Sequence, residues 1–435
     1  MPPISIDLIL HCQWVLPIVP NDQILPDHSV AIDGGRILEI LPTASAVKKY
    51  NSTTSETLSG HILMPGLIDT YCQSSTRLLR GFNPGLANQG LEHLLSGTSF
   101  VEDSLKTAIA EMIKGGTTCF AEMHSAGELL VDIACDAGIR SQASFILQEK
   151  SSVYGKDAED YLHRGLKLRD NYSSHSLIKI ACGLSNISQL EDKTLDQLAA
   201  FANELDLPIQ IKCNDTKEAI NDCFKKTGYR PLQRLNQKGL LLPETQLVEM
   251  NHLNAEDNAL LQQTKTHQVL TLEHCQNLSN DNSALHSLGN PDINSSFGTA
   301  NANDNNGATL MMVIKAAADA AQQNNRHQSQ QDTAHQALRM ATINGAKTLG
   351  WDRQIGSIEE GKYADLIAIE IDSLHHQPLY NPASQLVYSP VNSPVTHSWV
   401  AGRPLLKAGN LCTLDEQKLI QSAKAWGKTL TNEAI

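Results

Sequence analysis

The chain has 435 residues, 41% of them hydrophobic and 19% charged, which is enough for one large domain and a smaller one. Its formal net charge of −13 argues against a nucleic-acid-binding surface, because contacts to phosphates need clustered Lys and Arg. The sequence has no apolar run near the roughly 18 residues of a membrane span and no signal-peptide pattern at its start, so a cytoplasmic protein is expected.

Both ends of the chain are predicted to be β-structure. In the first 60 or so residues, short apolar runs alternate with turns, and "DGG" within "HSVAIDGGRILEIL" is a strong hairpin signal. The last part repeats this pattern in "ADLIAIEID" and "HSWVAGRPLLKAG", where "AGR" is typical of a hairpin tip. We therefore expect the two ends, residues 1–62 plus 360–435, to pair in one small β-sandwich.

The middle of the chain alternates helices with strands. "SFVEDSLKTAIAEMIKGG" has apolar residues at helical spacing and leads into the strand-like "TTCFAEM", and "LDQLAAFANELDLP" leads into "IQIKC" in the same way. Such alternation implies parallel βαβ units. Their number favours an α/β fold, a closed (β/α)8 TIM-type barrel over residues 63–359, with its site where the strands end.

Motifs along the chain carry a family resemblance. They are "LMPGLIDT", "LLRGF", "AIAEMIKGGTTCF", "HLNAED", "HQALRMATINGAKTLG" and "IGSIEEGKYADLIAI". Together they resemble the amidohydrolase superfamily, in particular the branch of the methylthioadenosine/S-adenosylhomocysteine deaminases and the triazine hydrolases. The resemblance implies a barrel with a β-sandwich, often as a homodimer. In active members it also implies one divalent metal, such as zinc, which activates water for attack on an aromatic ring carbon.

The first metal motif that the resemblance implies is changed in this chain. The family has His-x-His after "PGLID", where side chains two apart on a strand face the same way and can bind one ion. Here "PGLIDTYCQ" places Tyr71 and Gln73 at these positions. A phenol and an amide do not normally bind zinc.

The remaining metal positions are changed as well. The family's next metal His and its proton-shuttling Glu fall on Lys212 and Asp215. An ammonium has no lone pair and is repelled by a divalent cation. The third His falls on Glu249, which could bind zinc by itself. The last ligand, the Asp of a "GTDG" turn, falls on Ala300, with Asp304 as the nearest acid.

Two accessory positions of the family can also be located. Its substrate His in "PHAP" falls on Leu184, whereas the His of "HCP" is retained as His274. A new metal site that uses His124, His252 or His274 is an alternative, although a single His is more often a hydrogen-bonded structural residue. The candidate ligand-binding residues are Tyr71, Gln73, Lys212, Asp215, Glu249, His274 and Ala300.

Charge suggests what replaces the ion at these positions. We predict that Lys212 supplies positive charge that neutralises Glu249 and Asp215, because buried carboxylates without a partner are costly. Tyr71 and Gln73 would satisfy the polar atoms that remain. The alternative is that Lys212 extends to solvent with no fixed partner.

Two functions follow from these departures. The first, which the changed residues favour, is a non-catalytic homologue without a metal cofactor. It would bind a small polar or nucleoside-like ligand, or assemble as a homodimer or as a hetero-oligomer with an active relative. The alternative is a hydrolase or deaminase that acts on carbon–nitrogen bonds of a nucleoside-like or cyclic amidine substrate. In that case Lys212 could act as nucleophile or base, although neighbouring carboxylates favour its charged form.

Overall fold

The computed structural model describes residues 2–20, 23–82, 97–152, 154–277, 292–301, 309–324, 328–389 and 393–433. Within these ranges, no helix combines the length and the apolar character that crossing a bilayer requires. The helices are α1 (Thr43–Lys49), α2 (Thr98–Lys114), α3 (Gly127–Ala137), α4 (Ala158–Tyr172), α5 (Asp192–Leu205), α6 (Lys217–Thr227), α7 (Pro231–Gln237), α8 (Ala255–Thr264), α9 (Leu272–Asn277), α10 (Leu310–Asn324), α11 (Gln330–Met340), α12 (Ile343–Thr348), α13 (Pro382–Tyr388) and α14 (Glu416–Glu433). Short 3-10 helices lie at Ser74–Leu79, Ile187–Gln189 and Leu374–His376.

Strands from both chain ends form a separate sheet, as predicted. They are β1 (Ile4–Val15), β2 (Leu25–Asp33), β3 (Arg36–Pro42), β4 (Tyr50–Pro65), β14 (Leu366–Glu370), β15 (Val395–Val400), β16 (Arg403–Lys407) and β17 (Asn410–Leu411). The sheet has eight strands in the order β17-β16-β15-β14-β4-β1-β2-β3, and the two chain ends meet where β4 pairs with β14. The domain boundaries at residues 62 and 360 stay a prediction.

The two predicted hairpin tips lie against each other. Asp33 pairs with Arg36 across the turn of "DGG", and β15 pairs with β16 across the turn of "AGR". Gly35 has a φ of +74°, and a Cβ on it would lie 2.4 Å from the carbonyl oxygen of Ala401. Only glycine fits such a close backbone approach, so this glycine allows the N-terminal and C-terminal hairpins to pack together.

Parallel strands in chain order close into the predicted barrel. They are β5 (Leu67–Gln73), β6 (Thr117–His124), β7 (Arg140–Ile146), β8 (Ile178–Leu184), β9 (Ile209–Lys212), β10 (Thr245–Val248), β11 (His267–Leu270) and a last strand in two parts, β12 (Ser295–Phe297) and β13 (Ala300–Asn301). Strand β12 pairs with β11 and β13 pairs with β5, so this last strand closes the ring. The (β/α)8 fold is confirmed, and the carboxyl ends of its strands define the mouth of the barrel.

The outer helices pack their apolar faces on the barrel. In α2 the buried positions include Val101, Leu105, Ile109 and Ile113, at the helical spacing that the sequence predicts. They join one large apolar cluster with side chains of the strands. This packing fixes the strands, and therefore fixes the positions of the side chains at the mouth.

A buried ion pair joins the barrel to the sheet. Arg140, at the start of β7, donates from Nε to Oδ2 of Asp365 at 2.9 Å, and its side chain is fully buried. The other oxygen of Asp365 accepts from the backbone N–H of Ala401 at 2.8 Å. Every polar atom of this carboxylate therefore has a partner, which a buried charge needs.

Candidate functional site

The candidate residues lie on strands that end at the mouth. Tyr71 and Gln73 are at the end of β5, Lys212 is the last residue of β9, and Glu249 directly follows β10. Asp215 precedes α6, which begins after the N-cap Thr216. The strand ends of the barrel therefore bring together side chains that are up to 178 residues apart in sequence.

Lys212 forms the predicted ion pairs. Its Nζ lies 2.6 Å from Oε2 of Glu249 and 3.4 Å from Oδ2 of Asp215. The exposed fractions of the Lys212, Glu249 and Asp215 side chains are 29%, 16% and 23%, so all three are largely shielded from solvent. The alternative of a lysine without fixed partners is therefore wrong.

The charge state of Lys212 follows from its surroundings. Burial by itself would lower its pKa, but the Glu249 carboxylate and then Asp215 outweigh burial, so the pKa lies above its ordinary value. Lys212 is thus an ammonium at neutral pH. In this arrangement it donates hydrogen bonds and carries charge, and does not act as a free amine nucleophile.

Tyr71 and Gln73 extend this cluster on the opposite side of Glu249. The hydroxyl of Tyr71 donates to Oε1 of Glu249 at 3.0 Å, and Nε2 of Gln73 donates to the Tyr71 oxygen at 2.8 Å. Burial, and then the Glu249 charge, raise the pKa of Tyr71 well above its usual value, so it stays a phenol. Side chains therefore surround the Glu249 carboxylate on both oxygens, as the sequence predicts. We call the set Tyr71, Gln73, Lys212, Asp215 and Glu249 the mouth cluster.

The backbone around the mouth cluster is unusual. Asn214, Glu249 and Ala300 each have a φ between +53° and +58°, a left-handed conformation that residues other than glycine rarely adopt. Asn214 and Glu249 follow the ends of barrel strands, and Ala300 begins the second part of the last strand. The turn at Glu249 is held by a hydrogen bond from the N–H of Asn251 to the Glu249 carbonyl at 2.8 Å. Such conformations cluster at functional sites, because the surrounding structure must hold them in place.

The other predicted positions contribute less to the mouth cluster. Ala300 packs with Tyr71 and apolar side chains of neighbouring strands, and its methyl group cannot bind a metal. Leu184 belongs to the apolar cluster between the barrel and the helices. Asp304, the nearest acid in sequence to Ala300, lies outside the described residues.

Histidines near the mouth have mostly structural surroundings. His124 accepts a hydrogen bond at Nδ1 from the N–H of Ala126 at 2.9 Å, and burial lowers its pKa. The backbone N–H of His252 donates a hydrogen bond to the Asn214 carbonyl at 3.1 Å. His274 is buried, burial lowers its pKa to about 4, and its Nε2 has no hydrogen-bond partner among the described atoms. It is therefore a neutral ring with one unused polar atom.

Two buried acids near the mouth were not recognised from the sequence. Burial raises the pKa of Glu122, in β6, to about 7 and that of Asp69, in β5, to about 6. Glu122 accepts from the N–H of Ser74 at 2.8 Å, and Asp69 accepts from the N–H and the hydroxyl of Thr299 at 3.0 and 2.6 Å. These carboxyl groups hold the segments that follow Gln73 and precede Ala300. The signal in the sequence was an acid within an apolar strand, as in "TTCFAEM".

Comparisons with known proteins agree with this fold over nearly the whole chain. The sequence profile of the amidohydrolase family matches residues 62–405. A 5-methylthioadenosine/S-adenosylhomocysteine deaminase from Teredinibacter turnerae is 37% identical over 434 residues, 98% of this chain and 98% of that protein. A protein of the same name from Saccharophagus degradans is 36% identical over 430 residues, 97% of this chain and 96% of that protein.

Solved structures give the same result. An adenosine deaminase from Xanthomonas campestris with bound zinc has a TM-score of 0.90 at 28% identity, covering 99% of this chain and 100% of that chain. A zinc complex of an atrazine chlorohydrolase from Arthrobacter aurescens has a TM-score of 0.81 at 19% identity, covering 96% and 99% of the two chains. The second likeness concerns the fold alone.

These comparisons correct two expectations from the sequence. The expectation of a non-catalytic homologue is wrong, because relatives that match the whole chain at 36% and 37% identity are named as deaminases. The expectation of no metal cofactor is wrong as well, because structural neighbours are zinc-bound. Both expectations rested on the identity of single side chains. That identity alone does not show what a rearranged site can bind or catalyse.

The described side chains at the mouth do not provide a zinc site. A catalytic zinc uses three protein ligands and a water. Glu249 is the one carboxylate at a former ligand position, and the Lys212 ammonium already lies 2.6 Å from it. In the part of the chain that the structure describes, no group of three or more His, Cys, Asp or Glu side chains is placed to hold a metal. The described residues in this arrangement therefore do not fit the ion, and no step of the chemistry below is routed through it.

Proposed function

Because the chain belongs to the amidohydrolase family, we propose that it is a hydrolytic deaminase of a nucleoside-like substrate, which it binds at the mouth cluster. The observation that carries the proposal is the match, over nearly all of both chains, to relatives named as 5-methylthioadenosine/S-adenosylhomocysteine deaminases. The site supports this proposal, because the charged and hydrogen-bonded mouth cluster lies at the carboxyl ends of the barrel strands, where TIM-barrel enzymes have their active sites. Strained backbone at Glu249 is a second supporting feature.

The reaction needs two kinds of group. Water adds to the ring carbon that bears the amino group, the adjacent ring nitrogen accepts a proton, and ammonia leaves, so that a C–N bond is replaced by a C–O bond. The water must give its protons to an acceptor, and the developing charge must be stabilised by donors. The mouth cluster contains both proton acceptors and hydrogen-bond donors.

The residues of this chain divide between these roles. Glu249 and Asp215 are the carboxylates that can accept a proton from water. Lys212, held as an ammonium, and Tyr71, held as a phenol, are donors that can stabilise negative charge on the substrate. Gln73 orients the Tyr71 hydroxyl through its 2.8 Å hydrogen bond.

We also propose a cellular location and an oligomeric state. We place it in the cytoplasm, with a small nucleoside-like molecule as its partner and a second copy of the chain in a homodimer. All nine cysteines are free, which fits a reducing compartment. The homodimer rests on the family resemblance, and its measurement is the molar mass in solution by light scattering.

The test is turnover of three named compounds. The purified protein is incubated with 5′-methylthioadenosine, S-adenosylhomocysteine or adenosine, with and without added zinc, and the release of ammonia and the loss of adenine absorbance are followed. We expect turnover of at least one compound. Replacement Glu249→Gln should lower it by roughly 100-fold or more, the usual effect of losing a general acid or base.

The matched control is Glu256→Gln. Glu256 is an exposed glutamate on α8, a few residues after Glu249, and it accepts a hydrogen bond from Gln233 at 2.7 Å. This variant should keep the wild-type rate. Absence of ammonia with all three compounds in both metal conditions would overturn the proposal.

A further inference from the structure

A large cavity lies at the opposite end of the barrel from the mouth. Its volume is about 770 Å³, and it is formed by the starts of barrel strands and by the segment that follows α12. Residues that line it include Lys179 of β8, Gln246 of β10, His267 of β11 and Trp351. The proposed deamination uses none of these residues, so the cavity needs a separate explanation.

Lys179 is the charged group inside this cavity. Its Nζ donates to the carbonyl oxygens of Leu349 at 2.5 Å and Gly350 at 3.1 Å, and it lies 4.8 Å from the centre of the Trp351 ring. Among the described residues, no carboxylate oxygen lies within ion-pair distance of this ammonium. The nearest partners of this partly buried cation are carbonyl dipoles and an aromatic face, and a directly bound anion would lower the free-energy cost of its burial.

Burial and nearby ionisable groups change the pKa of Lys179. Burial lowers the pKa of Lys179 to about 8; Cys119 and Asp352 act in the opposite direction, and the Arg140 guanidinium lowers the pKa by a smaller amount. Arg140 is itself paired with Asp365. Burial is therefore the main reason for the lowered pKa of Lys179, and a bound anion would raise this pKa again.

His267 adds a neutral donor to the same cavity. Burial lowers its pKa to about 4, so the ring is uncharged at neutral pH. Its Nδ1 lies 3.0 Å from Nδ2 of Asn294, which is a donor, so Nδ1 accepts and the ring proton is on Nε2. An ammonium and an N–H donor that line one cavity are the groups that an oxyanion needs.

The other charges that line the cavity are of both signs, and two of them, Arg169 and Asp352, are half-buried. Asp206, Glu244 and Lys347 line it from exposed positions, where solvent screens them. Lys179 lies deeper and is shielded from solvent. Selectivity for an anion would therefore come from the interior of the cavity and not from its rim.

We propose that this cavity is a binding site for a small oxyanion, a carboxylate or phosphate group, that pairs with Lys179 and packs its remaining atoms against Trp351. The competing explanation is that Lys179 only caps the carboxyl end of α12, where cations are favourable. A cap keeps the same free energy whether or not an oxyanion is present. The two explanations therefore differ in a measurable way.

The first experiment measures thermal unfolding of the full chain at constant ionic strength in chloride, phosphate, acetate or benzoate. We expect at least one oxyanion to raise the Tm relative to chloride at pH 7. Phosphate acting alone would identify a phosphate site, and benzoate acting more strongly than acetate would identify a carboxylate site with an apolar part on Trp351. The increase in Tm caused by the oxyanion should become smaller as the pH rises well above 8, because Lys179 then loses its charge.

Variants assign the effect to Lys179. Lys179→Met should weaken oxyanion binding at least tenfold, whereas Lys347→Met, which removes an exposed lysine at the rim of the same cavity, should leave it nearly unchanged. An equal Tm increase in wild type and Lys179→Met, or no increase with any of the three oxyanions, would overturn the proposal.

A second measurement needs no variant and covers the case in which Lys179→Met does not fold. Acylation of lysines in the wild-type protein is followed by mass spectrometry in chloride and in the most stabilising oxyanion. Lys179 should react at least fivefold more slowly with the oxyanion present, while Lys48, an exposed lysine of α1, should react at the same rate in both. Equal rates at Lys179 would refute oxyanion binding.

Discussion

Replacement of Lys212 by methionine tests the charge balance of the mouth cluster. Methionine has a similar length but no charge, so the carboxylates of Glu249 and Asp215 lose the ammonium that lies 2.6 and 3.4 Å away. Removing one member of a buried pair costs about 3–5 kcal/mol. Lys212 is 29% exposed, however, and solvent will screen part of the charge that is left behind.

The expected loss of stability is therefore smaller than for a fully buried pair. A hydrogen bond to a charged group contributes about 1.5–3 kcal/mol, and the Tyr71 hydroxyl still supports Glu249 in the variant. We expect the free energy of unfolding of Lys212→Met to fall by about 2 kcal/mol. The double variant Lys212→Met/Glu249→Gln should lose less than the sum of the single variants, because the carboxylate that needed a partner is then gone.

The dependence on pH has a definite sign. The folded-state pKa of Lys212 is raised, so its contribution is complete below its unfolded pKa near 10.5 and is lost as the pH rises through the folded value. The difference between wild type and Lys212→Met should thus be constant from about pH 6 to pH 9 and shrink at more alkaline pH.

The assay is urea unfolding at neutral pH, with Lys238→Met as the matched control. Lys238 is 18% exposed and also contacts two aspartates, Asp192 at 3.3 Å and Asp196 at 2.9 Å, but these carboxylates are 65% and 62% exposed, so solvent screens them once the ammonium is removed. Exposed pairs contribute little, so this control should change by less than about 1 kcal/mol. Equal losses in the two variants would show that the mouth cluster is an ordinary surface ion pair and would refute the reasoning.

Two further changes test the hydrogen bonds around the mouth. Tyr71→Phe removes the O–H that donates to Glu249 at 3.0 Å, so we expect a loss of about 1–2 kcal/mol in urea unfolding and slower ammonia release; wild-type values of both would contradict its role. Glu122→Gln removes a carboxyl whose pKa is raised from 4.5 to about 7. The contribution of the wild-type carboxyl is complete below about pH 4.5 and declines by roughly 3 kcal/mol as the pH rises through 7. The variant should lack this decline, and parallel pH profiles for the two proteins would speak against a buried titrating carboxyl.

The parts of the fold that were predicted from the sequence are those with local signals. Alternating apolar residues and "DGG" identify the hairpin of β2 and β3, and helical spacing identifies α2. The last barrel strand has no such signal, because it is short and interrupted between β12 and β13. A Cβ on Gly298, at this interruption, would lie 2.6 Å from the Tyr71 carbonyl oxygen. A long-range contact with β5, which the local sequence does not reveal, thus sets its shape.

The candidate site was predicted in part. The motif frame places Lys212, Glu249 and Asp215 together, and elementary electrostatics then predicts their ion pairs, which the structure confirms. Whether these positions bind a ligand stays a prediction. The buried acid Glu122 was missed because its importance depends on the backbone N–H of Ser74, which reaches it only in the folded barrel. The expectation of a non-catalytic protein was wrong, because it rested on the absence of the expected metal-binding histidines and aspartate alone.

The structure indicates how the mouth can change its side chains and keep its shape. Asp69 and Glu122 hold the two segments beside the mouth through hydrogen bonds to Thr299 and Ser74, and neither acid is at a former metal position. The frame therefore does not depend on which side chains stand at Tyr71 or Lys212. Substitutions at these positions are therefore expected to alter charge and hydrogen bonding at the mouth while the hydrogen bonds of Asp69 and Glu122 continue to hold the two segments beside it.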